Sequence, residues 1–362
     1  MARVLLLALL VLGLGLTGRV SSHEESGEWS CESNSEIQLR ADFRPGLITL
    51  DGRADDWKDI DGFEFPLRPA LDPDEDHEYE DGKMTLKALH DGNNVFFLLQ
   101  VDGNYVYSKG DSSRCPSVAL MFQIGKDATY RNMGGCKEQR GSCTNKTCRG
   151  HEVDIMHFSV GNAIPGRLYG SNRIDERNGN GGDSFGHLVD VYAWNPHCRY
   201  LDGMDPSGND SSAQNDWKGA WWHSSFTDKS GFVEDDSPYS TGGQKGTYCF
   251  EFARPLRTMD RLRQDVQFTI DGSSKMSVAF WFPVDANPWV GSGHYTINCD
   301  WVLLDIASGG SMLTESAPNS GWDTTRALTL LFSVAALGIA ILVAYHHVHR
   351  PNSISFTPIE NL

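Results

Sequence analysis

Clustered basic charge is what this sequence lacks most. Lys and Arg total 31 against 48 Asp and Glu, a formal net charge of −17. Phosphate backbones are held by grouped Lys and Arg, so nucleic acid is excluded as a partner. The short signatures of hydrolytic chemistry are missing too: no G-x-S-x-G and no H-E-x-x-H occurs. No stretch outside one C-terminal apolar run keeps a 3.6-residue apolar period, which argues against a helical bundle. No cysteine precedes Cys31 or follows Cys299.

The two ends account for that last absence. Met1–Ser22 carries Arg3, the apolar run "VLLLALLVLGLGL" and then small residues at "VSS". This is the pattern of a secretory signal peptide cleaved near Ser22. Near the other end, "ALTLLFSVAALGIAILVAY", Ala327 to Tyr345, contains no charge. Its length suits the roughly 20 residues that cross a hydrocarbon core. The expected organisation is a signal peptide over 1–22 and an exported domain over 23–310. A juxtamembrane stalk over 311–326, a transmembrane helix over 327–345 and a cytosolic tail over 346–362 follow. The membrane is thus a partner, crossed once in type I orientation, in the secretory pathway or at the cell surface. Arg350 fits a cytosolic tail. His346, His347 and His349 read as interfacial polar residues rather than metal ligands.

An exported region suits disulfides. Cys31, Cys115, Cys136, Cys143, Cys148, Cys198, Cys249 and Cys299 are even in number and all lie within it. Their pairing stays open among about a hundred possibilities. The spacings in "CKEQRGSCTNKTC" are wider than those of zinc sites. Sequons at Asn145 and Asn209 predict a glycoprotein. The acidic run "LDPDEDHEYEDG", Leu71 to Gly82, does not fit a 12-residue calcium loop and reads as a solvated loop.

Between the ends, the apolar pattern is that of strands. "KMTLKALHD" alternates, and "NNVFFLLQVD" is apolar on both faces. "SVALMFQIG", "EVDIMHFSVG", "TYCFEFARPL", "DVQFTIDG", "MSVAFWFPVD" and "DWVLLDIA" are similar runs, rich in Val, Ile and Phe. The predicted fold is mainly β: an immunoglobulin-like antiparallel β-sandwich with long loops, plus the C-terminal transmembrane helix. From Gly161 to Lys245 the chain is rich in Gly, Asn, Asp and Ser, yet it carries Trp194, Trp217, Trp221 and Trp222. It is expected to be an ordered excursion folded over one end of the sandwich.

Candidate chemistry centres on Met133 in "RNMGG". A loop methionine is ordinarily packing, but a thioether is also a soft axial ligand for haem iron. His157 lies in the strand that follows the cysteine-rich loop.

Several runs, in order, resemble the haem-binding family of the ethylbenzene dehydrogenase gamma subunit and related DMSO-reductase-type enzymes, β-sandwiches akin to the DOMON group. They are "LDGRADDWKDI", "LKALHDGNNVFFLLQVDG", "SVALMFQIG", "NMGG", "VDIMHFSVG", "FEFARPLRTMD" and "DVQFTIDGSSKMSVAFWFPVD". The resemblance implies one b-type haem held by a methionine and a lysine. Met133 falls at the family's methionine-glycine motif. Lys275 is the match for the second ligand, with Lys245 and His157 as rivals. A lysine ligates iron only when neutral, so burial and the metal's charge must lower its pKa. The bacterial pattern lacks the cysteine-rich loop, the tryptophan-rich excursion and the membrane anchor.

The expected function is electron transfer or haem-dependent redox sensing by a cytochrome domain facing the lumen or cell exterior. Its redox partner is unknown, and catalysis of bond-making is not implied. The alternatives are a haem-free carbohydrate- or ligand-binding receptor, with the tryptophans of "NDWKGAWWHSS" stacking on sugars, and a structural or trafficking membrane protein.

Overall fold

The computed structural model describes residues 37–309 except 71–78, 81, 109, 129–132, 134–148, 162, 171–187, 194–198, 202–215, 225–243, 261, 285–286 and 290–292, together with seven positions between Ser333 and Tyr345. The chain divides into two units at Gly309/Gly310. In the second, the seven described positions are helical and exposed. Among the described residues no helix is long and apolar enough to cross a membrane. Most of Ala327–Tyr345 lies outside them, as do the signal peptide, the stalk, the tail histidines, both sequons, Trp194 and nearly all of the acidic run.

The first unit is a nearly closed sandwich of two sheets. Sheet A runs β10 (Arg199–Leu201), β9 (Leu188–Ala193), β7 (Val153–Ser159), β6 (Ser117–Gln123), β13 (Ser273–Trp281), β15 (Val302–Ile306) and β1 (Gln38–Phe43). Sheet B continues from β1 through β4 (Lys83–His90), β5 (Asn94–Asn104), β12 (Lys245–Pro255), β11 (Lys218–His223) and β8 (Tyr169–Gly170). Short strands β2 (Phe63–Pro66), β3 (Arg68–Pro69) and β14 (Tyr295–Thr296) pair off this path.

The expectation of a purely antiparallel sandwich needs one correction. β1 runs parallel to both its neighbours: Gln38–Ala41 pair with β15, and Asp42 and Phe43 pair with β4. One strand therefore changes sheets and joins them.

Period-two alternation builds the core. Met84, Leu86, Val95, Phe97, Leu99 and Val101 of sheet B face Val118, Leu120, Phe122, Met276, Val278 and Phe280 of sheet A. The excursion is not simply folded over one end. Its strand β9 extends sheet A beside β7, and β11 extends sheet B beside β12. Trp217 and Trp221 are buried in the core. Trp222 is half-buried beneath the Arg53 guanidinium, 4.3 Å from its ring centre. Sugar stacking on Trp217 and Trp221 is thereby excluded.

"DVQFTIDG" is not a strand. The Val266 N–H donates to the Asp154 carboxylate (3.0 Å), and the Val266 carbonyl accepts from the Arg254 guanidinium (3.1 Å). Both its backbone groups are thus spent on buried side chains rather than on a ladder. Arg254 and Asp154 form a buried ion pair at 2.6 Å. Burial opposes the Arg254 charge, but Asp154 and Asp265 outweigh it and raise its pKa.

Candidate functional site

Each sheet also has an outer face, and each outer face carries a second apolar cluster. On sheet B the cluster is Trp57, Ile60, Leu89, Leu98 and Cys249. It explains why "NNVFFLLQVD" is apolar on both sides. The segment "LDGRADDW" is laid over it. The Asp51 and Gly52 N–H groups donate to one oxygen of Glu251 (2.9 and 2.6 Å), and the Trp57 indole donates to the other (2.6 Å). Gly52, at φ 79°, leaves no room for a Cβ, which would meet the Trp221 backbone at 2.2 Å. Burial raises the Glu251 carboxyl to about 7, against the pull of these three donors. This face is sealed.

On sheet A the register defines a grid. Val191, Ile155, Met121 and Ser277 lie in one row across β9, β7, β6 and β13. Val189, His157, Ala119 and Ala279 form the next. The row on the other side runs Ala193, Val153, Gln123 and, by the same register, Lys275. The cluster here is Ala119, Met121, Ala128, Met133, Val153, Ile155, Val191, Ala193, Ala279 and Trp301, with Trp281 packed against it. Ala119, Ala193 and Ala279 keep part of this surface low among the larger Met121, Ile155 and Val191. The Ser277 hydroxyl is buried on it with no hydrogen-bond partner among the described residues.

Met133 roofs this patch. It is 6% exposed and has φ 57°, the left-handed region that a non-glycine residue adopts at a cost of about 1 kcal/mol. Its glycine neighbours lie outside the described residues. Lys275 is exposed on the same face, diagonal to Met121, with Cα atoms about 8 Å apart by strand spacing. His157 stands at the opposite corner. The Ser117 hydroxyl donates to the Phe158 carbonyl (3.0 Å), so it must accept from His157 Nε2, which fixes that nitrogen as the protonated one. The His157 ring also meets Trp281 (5.2 Å) and Trp289 (6.4 Å).

The structure thus brings Met133, Lys275 and His157 to one face and separates Lys245 from them. Lys245 begins β12, opposite Asn104, on the outer face of sheet B. It cannot share a ligand with Met133. The cysteine expectation also needs correction. Cys115 and Cys249 are buried free thiols, raised by burial to about 11 and 12. Cys115 exchanges hydrogen bonds with the Ser108 backbone, and Cys249 packs beside Leu98. Both are ordinary apolar fillers. Cys299 is disulfide-bonded. Cys31, Cys136, Cys143, Cys148 and Cys198 lie outside the described residues.

Beside Lys275 a cleft of about 550 Å³ opens, lined by Gln123, Thr258, Asp260, Arg263, Asp265 and Lys275 among others. Met133 does not line it. Gln123 links it to the patch, its amide donating to the Ala128 carbonyl (3.3 Å).

Sequence reasoning missed several residues of this region. Met121, a second thioether on the patch, was hidden in an apolar run. Trp281 shows only as strand filler in "MSVAFWFPVD". Arg263 offers no sequence signal. Glu251 could have been found: a carboxylate within "YCFEFA" needs a partner if the strand is buried.

The sequence model of the ethylbenzene dehydrogenase family matches residues 54–296. No curated protein matches the chain. Among solved structures, a Bacteroides uniformis protein provisionally described as carbohydrate-binding is 9% identical, with TM-score 0.38, covering 75% of this chain and 99% of its own. A family 9 carbohydrate-binding module from Caldicellulosiruptor kristjanssonii, in complex with cellotriose, is 10% identical with TM-score 0.33, covering 78% and 100%.

Proposed function

This chain belongs to the ethylbenzene dehydrogenase family, and on that premise we propose that its exported sandwich holds a b-type haem on the outer face of sheet A for one-electron transfer or redox sensing. Ala327–Tyr345 anchors the domain in a membrane of the secretory pathway or cell surface. The observation that carries the reading is the donor set. One apolar patch gathers two thioethers, Met133 and Met121, with a lysine and a histidine at its rim. These are ligand types that haem iron accepts.

The residues fit such a group in chemistry. Ala119, Ala193, Ala279 and Ser277 keep the side chains short on the sheet side of the patch. The buried Ser277 hydroxyl has no partner among the described residues, and a polar group of a ligand would supply one. Bound haem supplies the one-electron iron couple. The protein's part is to bind and to exclude water. Met133 would offer a neutral sulfur to such a group and Lys275 an amine. Trp281 and Trp301 wall the patch.

The test is an absorption spectrum of the full chain, produced in an oxidising host supplied with haem. A Soret band with sharp reduced α and β bands is expected, altered by Met133→Ala. A folded, colourless protein that takes up no added haem refutes the reading. A second reading, a haem-free ligand-binding sandwich, is favoured by one observation: the cleft is lined by Lys275 but not by Met133. The colourless outcome selects it.

A further inference from the structure

The loop between β12 and β13 is heavily braced, yet it holds apolar side chains out in water. Its two ends meet where the Phe268 N–H donates to the Leu256 carbonyl (2.9 Å). The Gln267 side chain bridges back to Thr258, accepting from its N–H (3.1 Å) and donating to its hydroxyl (2.7 Å). Nearer the tip, the Asp260 carboxylate accepts the N–H groups of Leu262 (2.7 Å), Gln264 (2.5 Å) and Asp265 (3.1 Å). On this frame Met259 is 84% exposed, and Leu262 is exposed as well. Arg257 and Arg263 are exposed on the same loop. Ile270, also exposed, follows at the turn into β13. One apolar side chain in water needs no explanation; three on one braced segment mark a contact surface.

The place of this loop in the fold says what it meets. The Asp271 N–H donates to the Ile306 carbonyl (2.8 Å), and the Ile306 N–H donates to the Gly272 carbonyl (3.0 Å). Strand pairing puts the exit of β12 at the same end: Pro255 opposes Asn94, His90 opposes Val95 and Phe43, and Ala41 opposes Ile306. The last strand thus leaves the sandwich at the end that carries the loop. In sequence, only residues 310–326 then precede the uncharged run Ala327–Tyr345.

We propose that residues 257–270 form a membrane-contacting surface. Met259 and Leu262 enter the interface of the bilayer, with Arg257 and Arg263 at the level of the lipid phosphates. The proposal rests on the anchor named in the proposed function. The occupant is the bilayer because the chain runs from this end of the sandwich into that anchor. Apolar side chains in the headgroup boundary, flanked by long basic ones that reach the headgroups, are the pattern of interfacial segments. Tethering lets a weak contact suffice, since the loop meets the bilayer at high effective concentration.

The test uses the full chain in phosphatidylcholine nanodiscs, with a nitroxide on Met259→Cys and, as control, on Val284→Cys. Val284 is 56% exposed and follows β13 at the opposite end of the sandwich. Both positions are exposed enough to take the substitution, and the native chain treated alike gives the background. The Met259→Cys label is expected to lose access to a water-soluble nickel chelate and gain access to oxygen. The Val284→Cys label should keep its access to the chelate. Leu262→Cys should behave like Met259→Cys. Equal chelate access at Met259→Cys and Val284→Cys overturns the proposal. Extraction with alkaline carbonate checks the anchor separately, and release of the chain refutes it. In that case a Met259→Cys label shielded by added phosphatidylcholine vesicles still supports the contact, and one left accessible overturns it.

Discussion

The outer faces of the two sheets look alike in composition and differ in finish. Each carries an apolar cluster under a loop. On sheet B the covering segment is locked by three N–H donors to Glu251, with Trp57 packed in one cluster with Leu89 and Leu98. On sheet A the described cover includes a methionine in a left-handed turn, over a surface that retains a buried hydroxyl with no partner among the described residues. A face that serves only stability is closed with every polar group matched. On the proposed function, the strain at Met133 and the unmatched Ser277 hydroxyl mark where a ligand would sit.

The comparison breaks most readily at Trp57. Trp57→Ala opens the sealed face and should cost about 4 kcal/mol, read as a lowered urea midpoint. The haem spectrum of whatever remains folded should not change. An altered spectrum at full stability would erase the distinction between the faces.

Acidity gives the next largest effect, again on sheet B. Glu251 is raised from 4.5 to about 7. The folded state thus holds its proton more tightly than the unfolded chain. Its stabilising contribution is fully present below pH 4.5 and is lost as pH rises through 7. The loss should reach about 3 kcal/mol. Asp265, raised to about 6 by burial and by Asp154, acts in the same direction from 3.8 upward. Unfolding measured from pH 4.5 to 7.5 should show stability falling, with Glu251→Gln removing most of the slope.

Met133→Ala should cost about 2 kcal/mol, less than Trp57→Ala, because its site is a satellite cluster rather than the main core. Its distinguishing effect is on the reduced absorption bands. A change in stability with no change in the spectrum would make sheet A's cover as structural as sheet B's. Lys245→Ala should do least. The substitution lies on the other face, so both the spectrum and the stability, within about 0.5 kcal/mol, should hold.

Much of the sandwich was legible because β4, β5, β6, β7, β12, β13 and β15 each bury an alternating or continuous apolar run. β9 and β11 were not, since their flanks are glycine- and asparagine-rich and their pairing is decided by neighbours far away in sequence. "DVQFTIDG" has a strand's composition, and only Arg254 and Asp154, from two other strands, take its backbone out of the ladder. The same limit governs the site. The Met133 motif is local and could be read. That Lys275 shares its face and Lys245 does not depends on the strand partners, which spacing alone does not reveal.

β1 has a consequence for how the protein is made. It pairs Gln38 with Leu303 and Asp42 with Leu89. The first strand cannot be completed until the last has been delivered. During synthesis its neighbours β4 and β5 can form a hairpin early, but the seam between the sheets stays open until residues beyond 300 have emerged. Closing so long a loop adds only slowly to the entropy cost, yet it delays folding and leaves strand edges bare for most of translation. The nascent domain therefore exposes bare strand edges to chaperones throughout its synthesis, and a chain cut short before Val302 would leave β1 without half of its ladder.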